Sequence, residues 1–187
     1  MTSATSPRRL DLPATTDDLR QLQAEQEVLL YGTIYTMRDA GHQRAIDYLE
    51  KHGELPYGLA GQALFYAGPT PAAAGRPFGA IGPTTASRMD AFTPRMLEAG
   101  ITVTLGKGWR SEAVAEACQE YGAVYLTTIG GAAALLARHV ISAELIAWPD
   151  LGTEALYKLQ LDGLPAWVAI DCVDKIAPSL LSTEPRR

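Results

Sequence analysis

Short apolar runs of strand length alternate with amphipathic helical runs through the middle of this 187-residue chain. The runs at 101–105 and 123–127 each follow a helical segment that ends in a glycine, Gly100 and Gly122 respectively. Such alternation predicts a parallel sheet with right-handed crossovers. The last strand-like runs have no helices between them, so we expect them to pair as an antiparallel meander. The predicted fold class is therefore α/β.

The predicted elements cover most of the chain and indicate one domain. Helices are expected at 16–24, 39–52, 86–98, 111–121 and 131–139. Strands are expected at 28–36, 63–67, 101–105, 123–127, 144–148, 156–161 and 166–171. Residues 68–83 are rich in glycine, proline and alanine and predict a long loop, which in compact domains is usually functional. We expect a single domain over 1–187, with an ordered core at about 10–178 and flexible tails that include 1–9 and 182–187.

The composition is that of an ordinary globular protein. Hydrophobic residues make up 47% and charged residues 20%, and 16 basic against 21 acidic residues give a net charge of −5. No basic stripe is present, which disfavours nucleic acid as a partner. The longest apolar stretches are strand-length, and residues 1–13 lack the apolar core of a signal peptide. We therefore expect a cytoplasmic protein with no membrane-spanning helix.

The chain has two cysteines and three histidines, and their spacing matches no metal-binding motif. Cys118 lies within a helical run and Cys172 at the end of a strand-like run, so both are predicted to be buried small apolar residues. The histidines, His42, His52 and His139, are scattered. We expect neither a zinc site nor an iron–sulfur cluster held by this chain alone.

Residues 82–90, Gly-Pro-Thr-Thr-Ala-Ser-Arg-Met-Asp, place two hydroxyls and a guanidinium on a turn that leads into a predicted helix. Thr84 and Thr85 are good helix N-caps, and a helix N-terminus favours a bound anion. Arg88 adds a fork that can grip a carboxylate at two points. The segment fits a site for a small carboxylic acid, and it fits equally a capped helix with a surface arginine.

Two more cations, Arg38 and Lys107, lie two residues after the ends of predicted strands. Ligands of open α/β sheets bind at the carboxyl edge of the strands. If the strands are parallel neighbours, Arg38, Arg88 and Lys107 converge on one crevice, which would suit a dicarboxylate. The alternative for Lys107 is a solvated loop lysine.

Four neighbouring residues are expected to surround this crevice. Asp39 is placed to cap the helix at 39–52 and to leave Arg38 facing the crevice. His42 lies one turn into that helix, where it would bond a loop or hold Asp39 more readily than take part in chemistry. Gly130 and Gly131 close a strand–turn–helix junction, where they either offer backbone N–H groups to a ligand or form an ordinary turn.

Five motifs occur in a fixed order along the chain. They are Gly-Thr-Ile-Tyr-Thr-Met-Arg-Asp-Ala-Gly-His (32–42), Gly-Pro-Thr-Thr-Ala-Ser-Arg-Met-Asp (82–90), Gly-Lys-Gly (106–108), Gly-Gly-Ala-Ala (130–133) and Asp-Leu-Gly-Thr-Glu-Ala-Leu-Tyr (150–157). Together they resemble the β subunit of iron–sulfur hydro-lyases, the class I fumarases and L(+)-tartrate dehydratases. The resemblance covers roughly residues 16–175.

The resemblance implies a swivelling β/β/α three-layer domain, with a central parallel sheet and a second antiparallel sheet. It also implies that this chain is half of an enzyme. In the family, an α subunit or N-terminal domain holds a 4Fe-4S cluster on three cysteines, and one iron stays open as a Lewis acid for the substrate. A heterotetramer of α and β subunits is expected, and the small number of cysteines here fits a separate β subunit.

The resemblance also implies roles for individual residues. Thr84 resembles the family's proposed catalytic base, and Arg38, Arg88 and Lys107 resemble its carboxylate-binding residues. Thr85 is expected to contact substrate or to act as a cap. Fumarate and malate are the first choice of substrate and tartrate the second, while mesaconate stays open because one methyl group changes selectivity by only about 1–3 kcal/mol. A non-catalytic carboxylate-binding module is the alternative from another class.

Overall fold

The computed structural model describes residues 6–70 and 78–173, and within them seven strands alternate with five helices. The strands are β1 (Arg8–Leu12), β2 (Glu27–Thr36), β3 (Ala63–Phe65), β4 (Val103–Gly106), β5 (Val124–Thr127), β6 (Val140–Ala147) and β7 (Leu156–Ile170). The helices are α1 (Thr16–Arg20), α2 (Asp39–His52), α3 (Thr93–Glu98), α4 (Glu112–Tyr121) and α5 (Ala133–Leu136). Short 3-10 turns lie between several of them.

The seven described strands form one hydrogen-bonded sheet in the order β1-β2-β3-β4-β5-β7-β6. Strands β1 to β5 pair in parallel, as the alternation of strands and helices predicts. Strand β7 pairs antiparallel with β5, β6 and β2. Because β7 returns to β2, the strands β2, β3, β4, β5 and β7 close into a ring. The α/β class and the mixture of parallel and antiparallel pairing are confirmed.

Alternating side chains give the strands two apolar clusters, one on each face of the sheet. In the first, Phe65 of β3 packs with Leu105 of β4 and Leu126 of β5. In the second, the neighbouring Tyr66 packs with residues such as Leu49 of α2 and Cys118 of α4. Helices α2, α3 and α4 thus cover the face of the second cluster, whereas α1 and α5 pack against the first. The strand ends remain available for a site.

The predicted helix at 86–98 is wrong in its extent. It is a 3-10 turn at Ala86–Met89 followed by the separate helix α3. Pro94 explains the break, because its ring lacks an N–H and clashes with the carbonyl four residues earlier. The buried Thr93 hydroxyl donates instead to the Met89 carbonyl at 2.8 Å.

Other boundaries differ at the ends of the sheet. Arg8 and Arg9 belong to β1 rather than to a frayed tail, because they pair with β2. The two strands predicted at 156–161 and 166–171 are one strand, β7, which continues through a bulge near Gly163. The helix predicted at 131–139 shrinks to α5 and a 3-10 turn, and β6 starts at Val140. The tail at 182–187 and part of the loop at 68–83 lie outside the described residues.

No helix in the described ranges is long and apolar enough to cross a bilayer, and the longest, α2, has 14 residues. Cys118 is fully buried as predicted, and burial raises the pKa of its thiol to about 12. Cys172 is only partly buried, which corrects the prediction for that residue.

Candidate active site

The carboxyl ends of four parallel strands meet at one edge of the sheet. Strands β2, β3, β4 and β5 are neighbours in that order. Arg38 follows β2 and Lys107 follows β4 directly, so the two cations come from the same edge, as the sequence predicts. This edge is where open α/β sheets bind ligands.

The segment at 84–86 is inserted between the ends of β3 and β4. The Thr84 N–H donates to the Tyr66 carbonyl at 2.7 Å, and the Lys107 N–H donates to the Thr84 carbonyl at 3.3 Å. The Ala86 N–H donates to the Lys107 carbonyl at 2.9 Å. Backbone pairing therefore makes Thr85 the register partner of Lys107, with Thr84 one position earlier. Thr84 is half-buried and Thr85 is exposed.

The prediction that this segment caps a helix is wrong. Thr85 precedes a four-residue 3-10 turn, and its hydroxyl makes no capping hydrogen bond. The first N–H of the turn, that of Ala86, is occupied by the Lys107 carbonyl. The two hydroxyls are presented by extended backbone paired to Lys107, and the helix N-terminal anion site expected here does not form.

Arg88 links the 82–90 segment to the start of α2. Its Nε donates to Asp39 Oδ1 at 3.1 Å and its Nη2 to Asp39 Oδ2 at 2.7 Å. Asp39 is the first residue of α2 and Arg38 is the N-cap position, which corrects the expectation that Asp39 caps the helix. The fork of Arg88 is thus engaged by this chain's own carboxylate.

Arg38 is held by Glu154, a residue that the sequence did not single out. Arg38 Nη2 lies 3.5 Å from Glu154 Oε1, and both side chains are about one quarter exposed, at 24%. Glu154 Oε2 also accepts the Ala40 N–H at 2.9 Å. Glu154 falls in the 150–157 motif, but no periodicity or local spacing connects it with Ala40, which is 114 positions away.

His42 is buried directly behind Arg38. Its ring packs against Tyr66 and Phe92, with centroid distances of 5.3 and 5.7 Å. Its Nδ1 lies 2.9 Å from the Arg38 carbonyl, which can only accept, so Nδ1 carries the proton. Burial lowers the pKa of His42 to about 4. His42 is therefore neutral near pH 7 and supports the backbone of Arg38, rather than binding Asp39.

Lys107 is partly exposed and has no ion pair or side-chain hydrogen bond among the residues that the structure describes. A Cβ atom added to Gly130 would lie 3.2 Å from Lys107 Cδ, so the lysine stem passes close to the Gly130 backbone. Gly131 is exposed and has no neighbour at that distance. Gly130 thus adjoins the predicted site, whereas no contact ties Gly131 to it.

A buried ion pair between Arg110 and Asp90 supports the 82–90 segment of the site. Arg110, whose side chain is fully buried, donates from Nε to Asp90 Oδ1 at 2.6 Å. Its guanidinium lies 5.1 Å from the Tyr66 ring centroid and 4.8 Å from that of Tyr125. Asp90 Oδ2 accepts the Ser111 N–H at 2.7 Å. The last residue of the 82–90 segment is therefore anchored to the start of α4.

The described residues contain no group of three or more His, Cys, Asp or Glu side chains arranged to hold a metal ion. Of the two cysteines in the sequence, Cys118 lies in the apolar cluster beneath the helices. This edge presents two threonines, of which Thr85 pairs with Lys107, together with Arg38 after β2 and Arg88 on the adjoining 3-10 turn. Three cations at the carboxyl edge of parallel strands have the chemistry to receive a small anion.

The chain belongs to the fumarase C-terminus family. The model of the family described as "Fumarase C-terminus" matches residues 2–175.

Curated relatives carry the same domain in two settings. The anaerobic class I fumarate hydratase of Escherichia coli (strain K12) is 38% identical over 155 residues, 82% of this chain and 28% of that protein. The mitochondrial fumarate hydratase 1 of Leishmania major is 38% identical over 86% of this chain and 30% of that protein. The L(+)-tartrate dehydratase subunit beta of Shigella sonnei is 33% identical over 87% of this chain and 82% of that protein. The chain thus spans less than a third of the two fumarate hydratases.

Proposed function

We propose that this chain is the β subunit of a two-subunit hydro-lyase that reversibly hydrates fumarate to malate. The observation that carries the proposal is the placement of Thr84, Arg88 and Lys107 with Arg38 at one edge of the sheet. The fumarate hydratase relatives support the reaction type. The separate subunit beta of the tartrate enzyme, of which this chain covers 82%, supports an arrangement in two subunits.

In this proposal three cations, Arg38, Arg88 and Lys107, bind the substrate. Arg88 donates hydrogen bonds from Nε and Nη2 to Asp39. Its Nη1 group is therefore the one available to bind a substrate carboxylate. Arg38 keeps a buried Nε that has no partner among the described residues. Lys107, the register partner of Thr85, adds a positive charge that has no ion pair among the described residues. Charge-assisted hydrogen bonds from these groups would fix the two ends of a dicarboxylate.

Thr84 is proposed to move the proton. In the dehydration direction Thr84 would first pass its hydroxyl proton to a group on the α subunit. Its alkoxide would then take the proton from the carbon beside one carboxylate, so that the C–H electron pair forms the double bond as the neighbouring C–O bond breaks. The leaving hydroxide would take up the proton held on the α subunit and depart as water. In the hydration direction Thr84 returns that proton. A neutral threonine hydroxyl is a weak base, so it requires activation by its surroundings. Lys107 and the two arginines supply positive charge here, and Thr85 offers a second hydroxyl beside the substrate.

We assign the rest of the active site to an α subunit, and we propose that the two kinds of subunit form a heterotetramer. A 4Fe-4S cluster held by that subunit would supply Lewis-acid binding of the substrate hydroxyl and carboxylate. The swivelling three-layer arrangement implied by the resemblance belongs to the same proposal. Among the described residues, four large aliphatic side chains between positions 129 and 145 are exposed by 45–60%, which supports a partner. They are Ile129, Leu135, Ile141 and Leu145.

A second candidate reaction is the dehydration of L(+)-tartrate. The relative named for that reaction is the one whose length this chain nearly matches, although it is 33% rather than 38% identical. Mesaconate is the third substrate to test, since an additional methyl group alters selectivity by only about 1–3 kcal/mol.

The test is anaerobic co-expression with a candidate α subunit, followed by an ultraviolet hydration assay on fumarate and mesaconate and a dehydration assay on tartrate. Turnover of fumarate that depends on the cluster supports the first choice, and preferential turnover of tartrate selects the second. A complex with an intact cluster that turns over none of the three contradicts the proposal. Failure to form any complex favours the non-catalytic carboxylate-binding module.

A further inference from the structure

We propose that Glu154 is a positioning residue that holds the Arg38 guanidinium in the orientation that receives one carboxylate of the substrate. This role rests on the proposed function, because it gives Arg38 a dicarboxylate to bind. Glu154 itself contacts the arginine and the backbone of α2, so it acts through Arg38.

One carboxylate joins the side chain of Arg38 to the helix that Arg38 precedes. Glu154 Oε1 lies 3.5 Å from Arg38 Nη2, and Glu154 Oε2 accepts the Ala40 N–H at 2.9 Å. The Ala40 contact fixes the carboxylate relative to the backbone at the start of α2. The guanidinium is thereby aligned by a group that does not depend on substrate.

The segment that carries Glu154 is itself held tightly. A Cβ atom on Gly68 would lie 1.9 Å from the Thr153 carbonyl oxygen, and one on Gly41 would lie 2.9 Å from the Glu154 carbonyl oxygen. Two backbones therefore approach so closely that only glycine fits without a shift. These contacts leave Glu154 little freedom to follow a moving arginine.

The buried Nε–H group of Arg38 is the feature that indicates a ligand here. Arg38 Nε is buried and has no acceptor among the described residues, while Nη2 faces Glu154. An unpaired buried N–H is unfavourable unless water or a ligand accepts its hydrogen bond. A substrate carboxylate is such an acceptor. Glu154 on one side of the guanidinium would thus direct its other N–H groups to the substrate.

Glu154→Gln is the decisive variant, because the glutamine oxygen can still accept the Ala40 N–H while the charge that faces Arg38 is lost. In the complex with the α subunit we expect the KM for the dicarboxylate to rise about tenfold, with kcat changed by less than about threefold. Asp150→Asn is the matched control on the same segment and should leave KM within about twofold of the wild type. In an Arg38→Ala background, Glu154→Gln should change KM by less than about twofold.

Two kinetic results would overturn the role of Glu154. One is a KM in Glu154→Gln within about twofold of the wild type, and the other is a tenfold effect that persists when Arg38 is alanine. Either would show that Glu154 does not act on substrate through Arg38.

A second measurement does not depend on turnover. In ¹⁵N-labelled full-length chain, the Arg38 Nε–H resonance should be sharp in the wild type, shift on addition of succinate, and broaden in Glu154→Gln. An Arg38 resonance with the same line width in both proteins would contradict the positioning role. If the wild-type complex turned over no dicarboxylate, the proposed function would fail, and this spectrum would still decide whether Glu154 fixes Arg38.

Discussion

Both carboxylate oxygens of Asp39 are gripped by Arg88, with Nε–Oδ1 at 3.1 Å and Nη2–Oδ2 at 2.7 Å. The pair joins the first residue of α2 to a turn 49 positions later in the chain. It lies at the rim of the site, since the two side chains are 34% and 48% exposed. The guanidinium is thus oriented before substrate arrives, and its Nη1 edge is the part left for the substrate.

Arg88→Lys should raise the KM of the complex for its dicarboxylate about tenfold, which corresponds to about 1.4 kcal/mol. A lysine has no fork, so it cannot hold both Asp39 oxygens and still offer a donor in a fixed direction. The measurement is steady-state kinetics with Arg95→Lys as control, because Arg95 pairs with Glu98 on the distant helix α3. A KM for Arg88→Lys equal to that of the control would remove Arg88 from the binding site.

The stability of the chain should depend on pH through His42. Burial lowers the pKa of His42 to about 4, so the unfolded chain takes up this proton at a higher pH than the folded chain does. Stability from this residue is complete above the ordinary pKa of about 6.5 and falls as the pH drops towards 4, by about 3 kcal/mol in all.

Urea unfolding from pH 8 to pH 4 measures this effect. In His42→Asn, whose amide can still donate to the Arg38 carbonyl, the free energy of unfolding should fall less steeply over that range. His52→Asn is the control on the same helix, because His52 is exposed, and it should keep the wild-type slope. Identical slopes for His42→Asn and wild type would mean that the buried histidine does not set the pH dependence.

Arg110→Met should cost about 3–5 kcal/mol of unfolding free energy, because Asp90 would be left as a largely buried charge without its cation. Adding Asp90→Asn should recover part of that loss, since the unpaired charge is then gone. Arg95→Met, which breaks an exposed pair, should cost less than about 1 kcal/mol. Equal losses for Arg110→Met and Arg95→Met would show that the buried ion pair is not structurally important.

The sequence predicts the elements that depend on local pattern. Helix α2 runs over Asp39–His52 as predicted, and its end at Gly53 is the left-handed C-cap that glycine favours. The parallel pairing of β2 to β5 follows from the alternation of strands and helices. By contrast, β1 is a strand because it pairs with β2, and no local signal in residues 8–12 distinguishes it from a tail.

The residues of the site likewise fall into those that the sequence predicts and those that it does not. Arg38 and Lys107 could be predicted because each lies within two residues of the carboxyl end of a strand in a parallel sheet. The partners that orient the arginines could not, since Asp39 meets Arg88, and Glu154 meets Ala40, only through tertiary packing. Thr84 and Thr85 resemble helix caps by residue type, but pairing of their backbone with Lys107 overrides that local preference.

The most direct test of the account is the turnover of Thr84→Val in the complex with the α subunit. Valine has nearly the shape of threonine and lacks the hydroxyl, so assembly should be intact and KM little changed. We expect kcat to fall at least about a thousandfold, with Thr84→Ser retaining measurable activity because it keeps the hydroxyl. A kcat for Thr84→Val within about twofold of the wild type would contradict the claim that this edge of the chain carries out the proton transfer.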